Sequence, residues 1–155
     1  MAQNERMRTR RSLPFPLGVS LRDGGANVAI YSETADSVEV CTFTGNTQSR
    51  FALENRTGHV FHGIVPGMEV GTRYGLRVDG PWDPANGLRH NRHKLLLDPH
   101  ATAIEGEYDW NASVFGPKFA HPLKMNTPDN HTSAPRSACA DPPITCAATA
   151  PPPPP

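Results

Sequence analysis

Five stretches of the chain alternate apolar and polar residues with a period of two, which is typical of half-buried β-strands. They cover residues 27–32, 37–43, 48–53, 59–65 and 73–79. Turn signals rich in Gly, Pro and Asn separate them. Short strands divided by turns predict an all-β protein, an antiparallel β-sandwich. The pattern favours at most one short helix, over residues 93–97, which Pro99 would end.

The last of these stretches shows most clearly how the alternation divides a strand into two faces. Tyr74, Leu76 and Val78 share one face, and we expect that face to lie in the core. The opposite face carries charged residues: Arg73, Arg77 and Asp79.

Composition divides the chain around these strands. Residues 1–13 are polar and basic and are predicted to form a disordered arm. The sandwich is predicted over 14–100, followed by a less regular junction over 101–116. Residues 117–155 are rich in Pro, Ala, Thr and Ser and end in five consecutive prolines, so a disordered Pro-rich tail is predicted there.

Charge and cysteine content narrow the function classes. The 155 residues contain 15 Lys+Arg and 15 Asp+Glu, so nothing favours a nucleic acid or a membrane surface as partner. The three cysteines, Cys41, Cys139 and Cys146, form no close disulfide framework, which indicates a reducing, cytoplasmic location. Pro14 and Pro16 interrupt the apolar stretch after the basic start, which argues against a secretory signal.

One segment combines a strand, a turn cluster around an aromatic residue and a leucine run. It reads YGLRVDGPWDP over residues 74–84 and continues with KLLLDP over 94–99. Earlier motifs precede it in a fixed order: PLG (16–18), NVAIYS (27–32), SVEVC (37–41) and TGHVFHGIVPG (57–67). From about residue 14 to 116 these motifs resemble the N-terminal domain of glycogen debranching enzymes.

The resemblance implies an immunoglobulin-like, early-set sandwich that is classed as a family 48 carbohydrate-binding module. In the isoamylase and debranching branch of glycoside hydrolase family 13, such a module precedes a (β/α)₈ barrel. The barrel holds the catalytic acids that hydrolyse α-1,6-glucosidic branch linkages in glycogen. The resemblance therefore implies no catalytic residue and no cofactor in this chain.

The sequence after residue 116 does not continue into a barrel. We therefore expect a truncated or frame-shifted N-terminal module that is inactive alone, and whether the chain is itself an enzyme stays open. The alternatives are a stand-alone module that binds α-glucan such as glycogen, or a module that docks onto a separate catalytic chain. Without a barrel, apolar residues such as Leu95, Leu96 and Leu97 are expected to be exposed and to promote self-association.

Trp82 is the candidate carbohydrate-binding residue. A flat aromatic ring suits the apolar face of a glucose unit, and a turn would present the ring to solvent. The alternative, which the sequence favours, is that Trp82 packs at the seam towards a barrel. Trp110 is expected to be a packing residue of the junction.

The remaining chemistry-bearing residues favour structural roles. His90 and His93 form an H-x-x-H pair close to His100, but a structural zinc site needs four ligands, so no metal site is predicted. A retaining glycosidase needs two carboxylates about 5–5.5 Å apart in a cleft, which sequence spacing does not establish. The candidate carboxylates lie next to turn residues or in the junction: Asp79, Asp83, Asp98 and Asp109.

Overall fold

The computed structural model describes residues 11–140. Residues 1–10 and 141–155 lie outside this part, and with them most of the predicted basic arm, Cys146 and the proline run. The described part contains two short 3₁₀ helices, Pro84–Asn86 and Ala112–Val114. The strands are β1 (Gly18–Arg22), β2 (Gly25–Tyr31), β3 (Ser37–Thr44), β4 (Thr47–Ala52), β5 (Asn55–Thr57), β6 (Val60–Pro66), β7 (Arg73–Asp79), β8 (Trp82–Asp83), β9 (Leu88–Arg89), β10 (Ala103–Glu105), β11 (Pro117–Lys118), β12 (His121–Met125) and β13 (Arg136–Ala138).

Two antiparallel sheets form the predicted sandwich, which is confirmed. The first sheet has the strand order β1-β2-β6-β5, and the second has the order β10-β13-β7-β3-β4. Two separate hairpins, β8-β9 and β11-β12, lie in the chain between β7 and β13 of the second sheet. All five predicted strands are present, with ends shifted by at most two residues.

The core lies between the two sheets and is built from alternate residues of each strand. Val28 and Ile30 of the first sheet belong to the same buried cluster as Val40, Tyr74 and Leu76 of the second. Because side chains of a strand point alternately to opposite faces, the side chains next to these residues point away from the space between the sheets. The predicted inner face of β7 is confirmed.

A segment of irregular chain crosses the outer face of the second sheet, which is the face turned away from the first sheet. Leu95 packs there in a small cluster with Cys41 and Phe43. Gly75 lies directly beneath, because a Cβ at this position would come within 2.6 Å of a Leu95 methyl carbon. The glycine of β7 therefore makes room for this crossing segment.

Polar side chains fasten the crossing segment from a distance along the chain. Asn130 accepts a hydrogen bond from the Leu95 amide at 2.6 Å and donates one to the Leu95 carbonyl at 3.2 Å. The Lys94 ammonium donates to the carbonyls of Ser113 and Pro128. Burial lowers the pKa of Lys94 from its usual range. These bonds join Lys94 and Leu95 to later segments of the chain, at residues 113, 128 and 130.

The predicted tail boundary at residue 117 is wrong for residues 117–140. This stretch forms β11, β12 and β13, and β13 enters the second sheet between β10 and β7. Ser137 and Cys139 are buried. The prediction relied on composition, because a stretch rich in proline and alanine is typical of disorder. These residues are instead held by pairing with distant strands, such as Ser137 with Tyr74.

Three smaller expectations also need correction. The predicted helix over 93–97 is absent, because the Leu96 backbone forms a bridge to Leu76 instead. Leu95 is buried rather than exposed, whereas Leu96 is about half exposed. The arm boundary at residue 13 is too late: the buried Ser12 hydroxyl lies 2.8 Å from His62 Nδ1 and accepts a hydrogen bond from Asn55.

Candidate functional site: an exposed aromatic row

Four aromatic rings follow one another on the surface between residues 108 and 119. Tyr108 and Trp110 stack with their centroids 4.9 Å apart and an interplanar angle of 27°. Trp110 lies 6.3 Å from Phe115, which makes an edge contact with Phe119 at 4.7 Å. We call these four residues the aromatic row.

Two rings of the aromatic row are far more exposed than aromatic side chains that serve a core. Trp110 is 72% exposed and Phe119 is 76% exposed. The prediction that Trp110 is a packing residue is therefore wrong, since most of its surface faces solvent. An exposed group of large apolar side chains commonly marks a binding surface.

Local chain geometry positions the row. Asn111 caps the 3₁₀ helix Ala112–Val114 by accepting a hydrogen bond from the Ser113 amide at 2.9 Å. Asn126 then donates to the carbonyls of Ala112 and Phe115, at 2.6 and 2.9 Å. Asn111 and Asn126 thus fix the backbone that carries Trp110 and Phe115, while Phe119 lies in the turn of the β11-β12 hairpin.

Trp82 lies beside the same hairpin. Its indole Nε1 donates to the Leu123 carbonyl of β12 at 2.9 Å. The side chain is half buried, in β8, where Trp82 pairs with Arg89. Of the two tryptophans, Trp110 therefore offers the more open ring, which sequence reasoning missed because no periodic pattern surrounds it.

Each candidate carboxylate has a structural partner. Asp98 accepts from the Tyr74 hydroxyl at 2.7 Å, and burial next to this carboxylate raises the pKa of Tyr74. Asp83 accepts from Asn86 at 2.7 Å, and Asp109 from Asn111 at 3.2 Å. Asp79 accepts from the Gly80 amide and lies 3.6 Å from Arg92.

His90 and His100, singled out from the sequence, have separate structural partners. His90 Nε2 lies 2.8 Å from the Thr34 hydroxyl, and His100 donates its amide to Asp98. Over residues 11–140, no group of three or more His, Cys, Asp or Glu side chains is arranged to hold a metal ion.

The two described cysteines are free and buried. Burial, together with nearby Asp98, raises the pKa of Cys139 to about 11. Burial likewise raises the pKa of Cys41, against the lowering effect of Arg77. Because the thiolate is the nucleophilic form, neither residue is poised for nucleophilic chemistry.

In the same described range, no helix is long and apolar enough to cross a membrane.

Comparison with known proteins agrees with this architecture. Residues 16–101 match the family described as carbohydrate-binding module 48 (isoamylase N-terminal domain). The glycogen debranching enzyme of Pectobacterium atrosepticum is 46% identical over 104 residues, which cover 66% of this chain and 16% of that enzyme. The glycogen debranching enzyme of Cronobacter sakazakii is 40% identical over 131 residues, covering 81% of this chain and 19% of that enzyme.

The Cronobacter match has a consequence for the boundary of the fold. A match over 81% of this chain must reach past residue 117 wherever it begins, so family-like sequence enters the region first predicted as a tail. The chain spans less than a fifth of the length of both curated relatives.

A solved structure supports the fold alone. The catalytic module of a multi-modular glycogen-degrading pneumococcal virulence factor, in complex with an inhibitor, superposes with a TM-score of 0.52 at 18% identity. The match covers 90% of this chain and 18% of that one.

Sandwich architecture, strand motifs and a family match over more than half of the sequence lead to one conclusion. The chain belongs to the carbohydrate-binding module 48 family of isoamylase N-terminal domains.

Proposed function

We propose that the chain is the non-catalytic N-terminal module of a glycogen debranching enzyme and that it contacts α-glucan through the aromatic row. The exposed stack of Tyr108 and Trp110 is the observation that carries the proposal. Flat rings that remain open to solvent match the apolar C–H faces of glucose units. The sequence relationship to two glycogen debranching enzymes supports glycogen as the source of those units.

Trp82 is the second contact in this proposal. Its hydrogen bond to Leu123 fixes the indole beside the hairpin that carries Phe119. A glucan strand in contact with both would meet the half-buried ring of Trp82 and the more exposed ring of Trp110.

The partners of the carboxylates support the non-catalytic part of the proposal. Hydrolysis by a retaining or inverting glycosidase requires one carboxyl group as acid and a second as nucleophile or base. The candidate aspartates of this chain accept hydrogen bonds from turn amides, amide side chains or Tyr74 instead. The branch-cleaving activity of a debranching enzyme would accordingly reside in residues other than these.

Affinity electrophoresis in native gels containing glycogen or amylose tests the proposal. The wild-type chain should be retarded, and Trp110→Ala should bind roughly tenfold more weakly because a stacking platform is removed. Trp82→Ala should weaken retardation less, because part of its ring is already covered by the protein.

Tyr31→Ala is the matched control, since Tyr31 is an exposed aromatic residue of the first sheet, outside the row. Its mobility in glycogen should equal that of the wild type. Unchanged retardation of Trp110→Ala would exclude the aromatic row as the contact. Absence of retardation for the wild type would reject glucan binding and favour a docking module.

A further inference from the structure

A concave surface lies on the outer face of the second sheet. It is a cavity of about 330 Å³, which falls within the range of small-molecule sites. Three arginines and three carboxylates line it: Arg50, Arg77, Arg92, Glu39, Asp79 and Asp129. We call it the arginine–carboxylate cleft, and it shares no lining residue with the aromatic row.

Two of the three ion pairs in the cleft leave hydrogen-bonding capacity free. Arg50 and Glu39 approach to 3.8 Å, and Arg92 and Asp79 approach to 3.6 Å. Both separations exceed hydrogen-bond length, so these pairs attract each other without saturating their donors and acceptors. All four side chains are at least 40% exposed, so a ligand can reach them.

The third pair forms a rigid base. The Arg77 side chain is only 2% exposed, and one of its terminal nitrogens donates to both oxygens of Asp129, at 2.9 and 2.8 Å. A second nitrogen donates to the Arg92 carbonyl at 3.3 Å. Because Arg77 is buried and held by Asp129 and by the Arg92 carbonyl, it supports the two exposed pairs from below.

The balance of charge identifies the class of ligand. An anion would meet three carboxylates, and a cation would meet three guanidinium groups. A neutral molecule with many hydroxyl groups instead uses both, because each hydroxyl donates one hydrogen bond and accepts others. Ser37 and His93 add a hydroxyl and an imidazole to the same lining.

We propose that the arginine–carboxylate cleft binds one pyranose unit of a glucan chain. The cleft is a second contact, distinct from the aromatic row: it recognises ring hydroxyls, whereas the row covers the apolar faces of other units. The identity of the sugar as glucose rests on the proposed function. Two separated contacts on one module would increase the avidity for a branched polymer.

Titration of the full chain with maltotriose, followed by backbone amide chemical shifts, tests this proposal. Amides of Arg92, His93 and Asp129 should shift on titration. Arg50→Gln and Arg92→Gln should each weaken the affinity measured at these amides by about tenfold, the loss expected for one hydrogen bond to a charged group. Arg22→Gln, on the first sheet and outside the cleft, is the control and should bind as the wild type does.

The outcomes separate this inference from the proposed function. Shifts confined to residues 108–119, with Arg50→Gln and Arg92→Gln unaffected, would overturn the cleft and leave the aromatic row in place. Shifts at the cleft with sulfate but not with maltotriose would make it an anion site and also overturn the proposal. No shift in any region would reject both contacts. Thermal unfolding of each variant verifies that these exposed substitutions leave the fold intact.

Discussion

The two faces of the second sheet show two ways of covering β-strands. The inner face is apolar and meets the first sheet through Val40, Tyr74 and Leu76. The outer face is covered by irregular chain that is held by hydrogen bonds from side chains to backbone groups, as Asn130 holds Leu95. Among residues 11–140, a cluster of three buried apolar residues lies there.

The two faces differ in the kind of interaction that holds the covering residues in place. Apolar packing depends on volume and tolerates many sequences, because the hydrophobic effect is non-directional. Hydrogen bonds to backbone groups depend on position, and an unsatisfied buried group is costly. On the outer face, such positional contacts bring Arg77 and Asp129 within hydrogen-bond distance of each other. The proposed cleft depends on this placement.

The largest loss of stability is expected from a substitution on the inner face. Leu76→Ala should lower the free energy of unfolding by about 3 kcal/mol, because it leaves a cavity in the main core. Urea denaturation measures the change. Leu96→Ala is the matched control, since Leu96 is about half exposed and pairs with Leu76 through backbone atoms. Equal losses in the two variants would show that the inner face does not dominate stability.

A smaller loss is expected at the fastening of the outer face. Asn130→Ala should cost about 2 kcal/mol, because the buried Leu95 amide and carbonyl both lose their partner. Hydrogen exchange should also accelerate at the Leu95 amide. Asn46→Ala, in the exposed turn between β3 and β4, provides the control and should change neither quantity. Unaltered exchange at Leu95 in Asn130→Ala would mean that the crossing segment is held by other contacts.

The smallest expected effect is the dependence of the free energy of unfolding on pH. Burial by itself would raise the pKa of Asp129, but the hydrogen bonds from Arg77 and the His131 amide outweigh it and lower this pKa. A lowered carboxyl pKa stabilises the fold above the unfolded value of 3.8, and this contribution is lost as pH falls through the folded pKa. We expect a loss of about 1 kcal/mol, since Asp129 is 37% exposed.

Unfolding by urea at a series of pH values from 7 to 3 measures this dependence. Asp129→Asn should show a flatter profile below pH 4 than the wild type. A wild-type profile that is equally flat would mean that the Arg77–Asp129 pair contributes nothing to acid stability.

Sequence reasoning recovered the strands because burial on one face imposes a period of two on the chain. It missed β13, whose Ser137 and Ala138 pair with Tyr74 and Arg73 more than sixty positions earlier. It also missed the network of Asn91, Asn126 and Asn130, since polar residues that bond to distant backbone groups leave no periodic signal.

The candidate contacts divide in the same way. The sequence pointed to Trp82 and placed Trp110 in the packing of the junction, whereas the structure leaves Trp110 open beside Tyr108. Exposure depends on which segments lie over a ring, and no local pattern encodes it. The cleft was likewise invisible, because its arginines and carboxylates come from positions between 39 and 129.

The sequence by itself determined the all-β class, the five main strands, the inner face of β7 and the family. These properties follow from local alternation and from motifs in fixed order, so they can be found one segment at a time. The tertiary structure decided where the fold extends, which aromatic rings stay exposed and how Arg77 meets Asp129. Those features depend on contacts between distant segments, and folding alone brings such segments together.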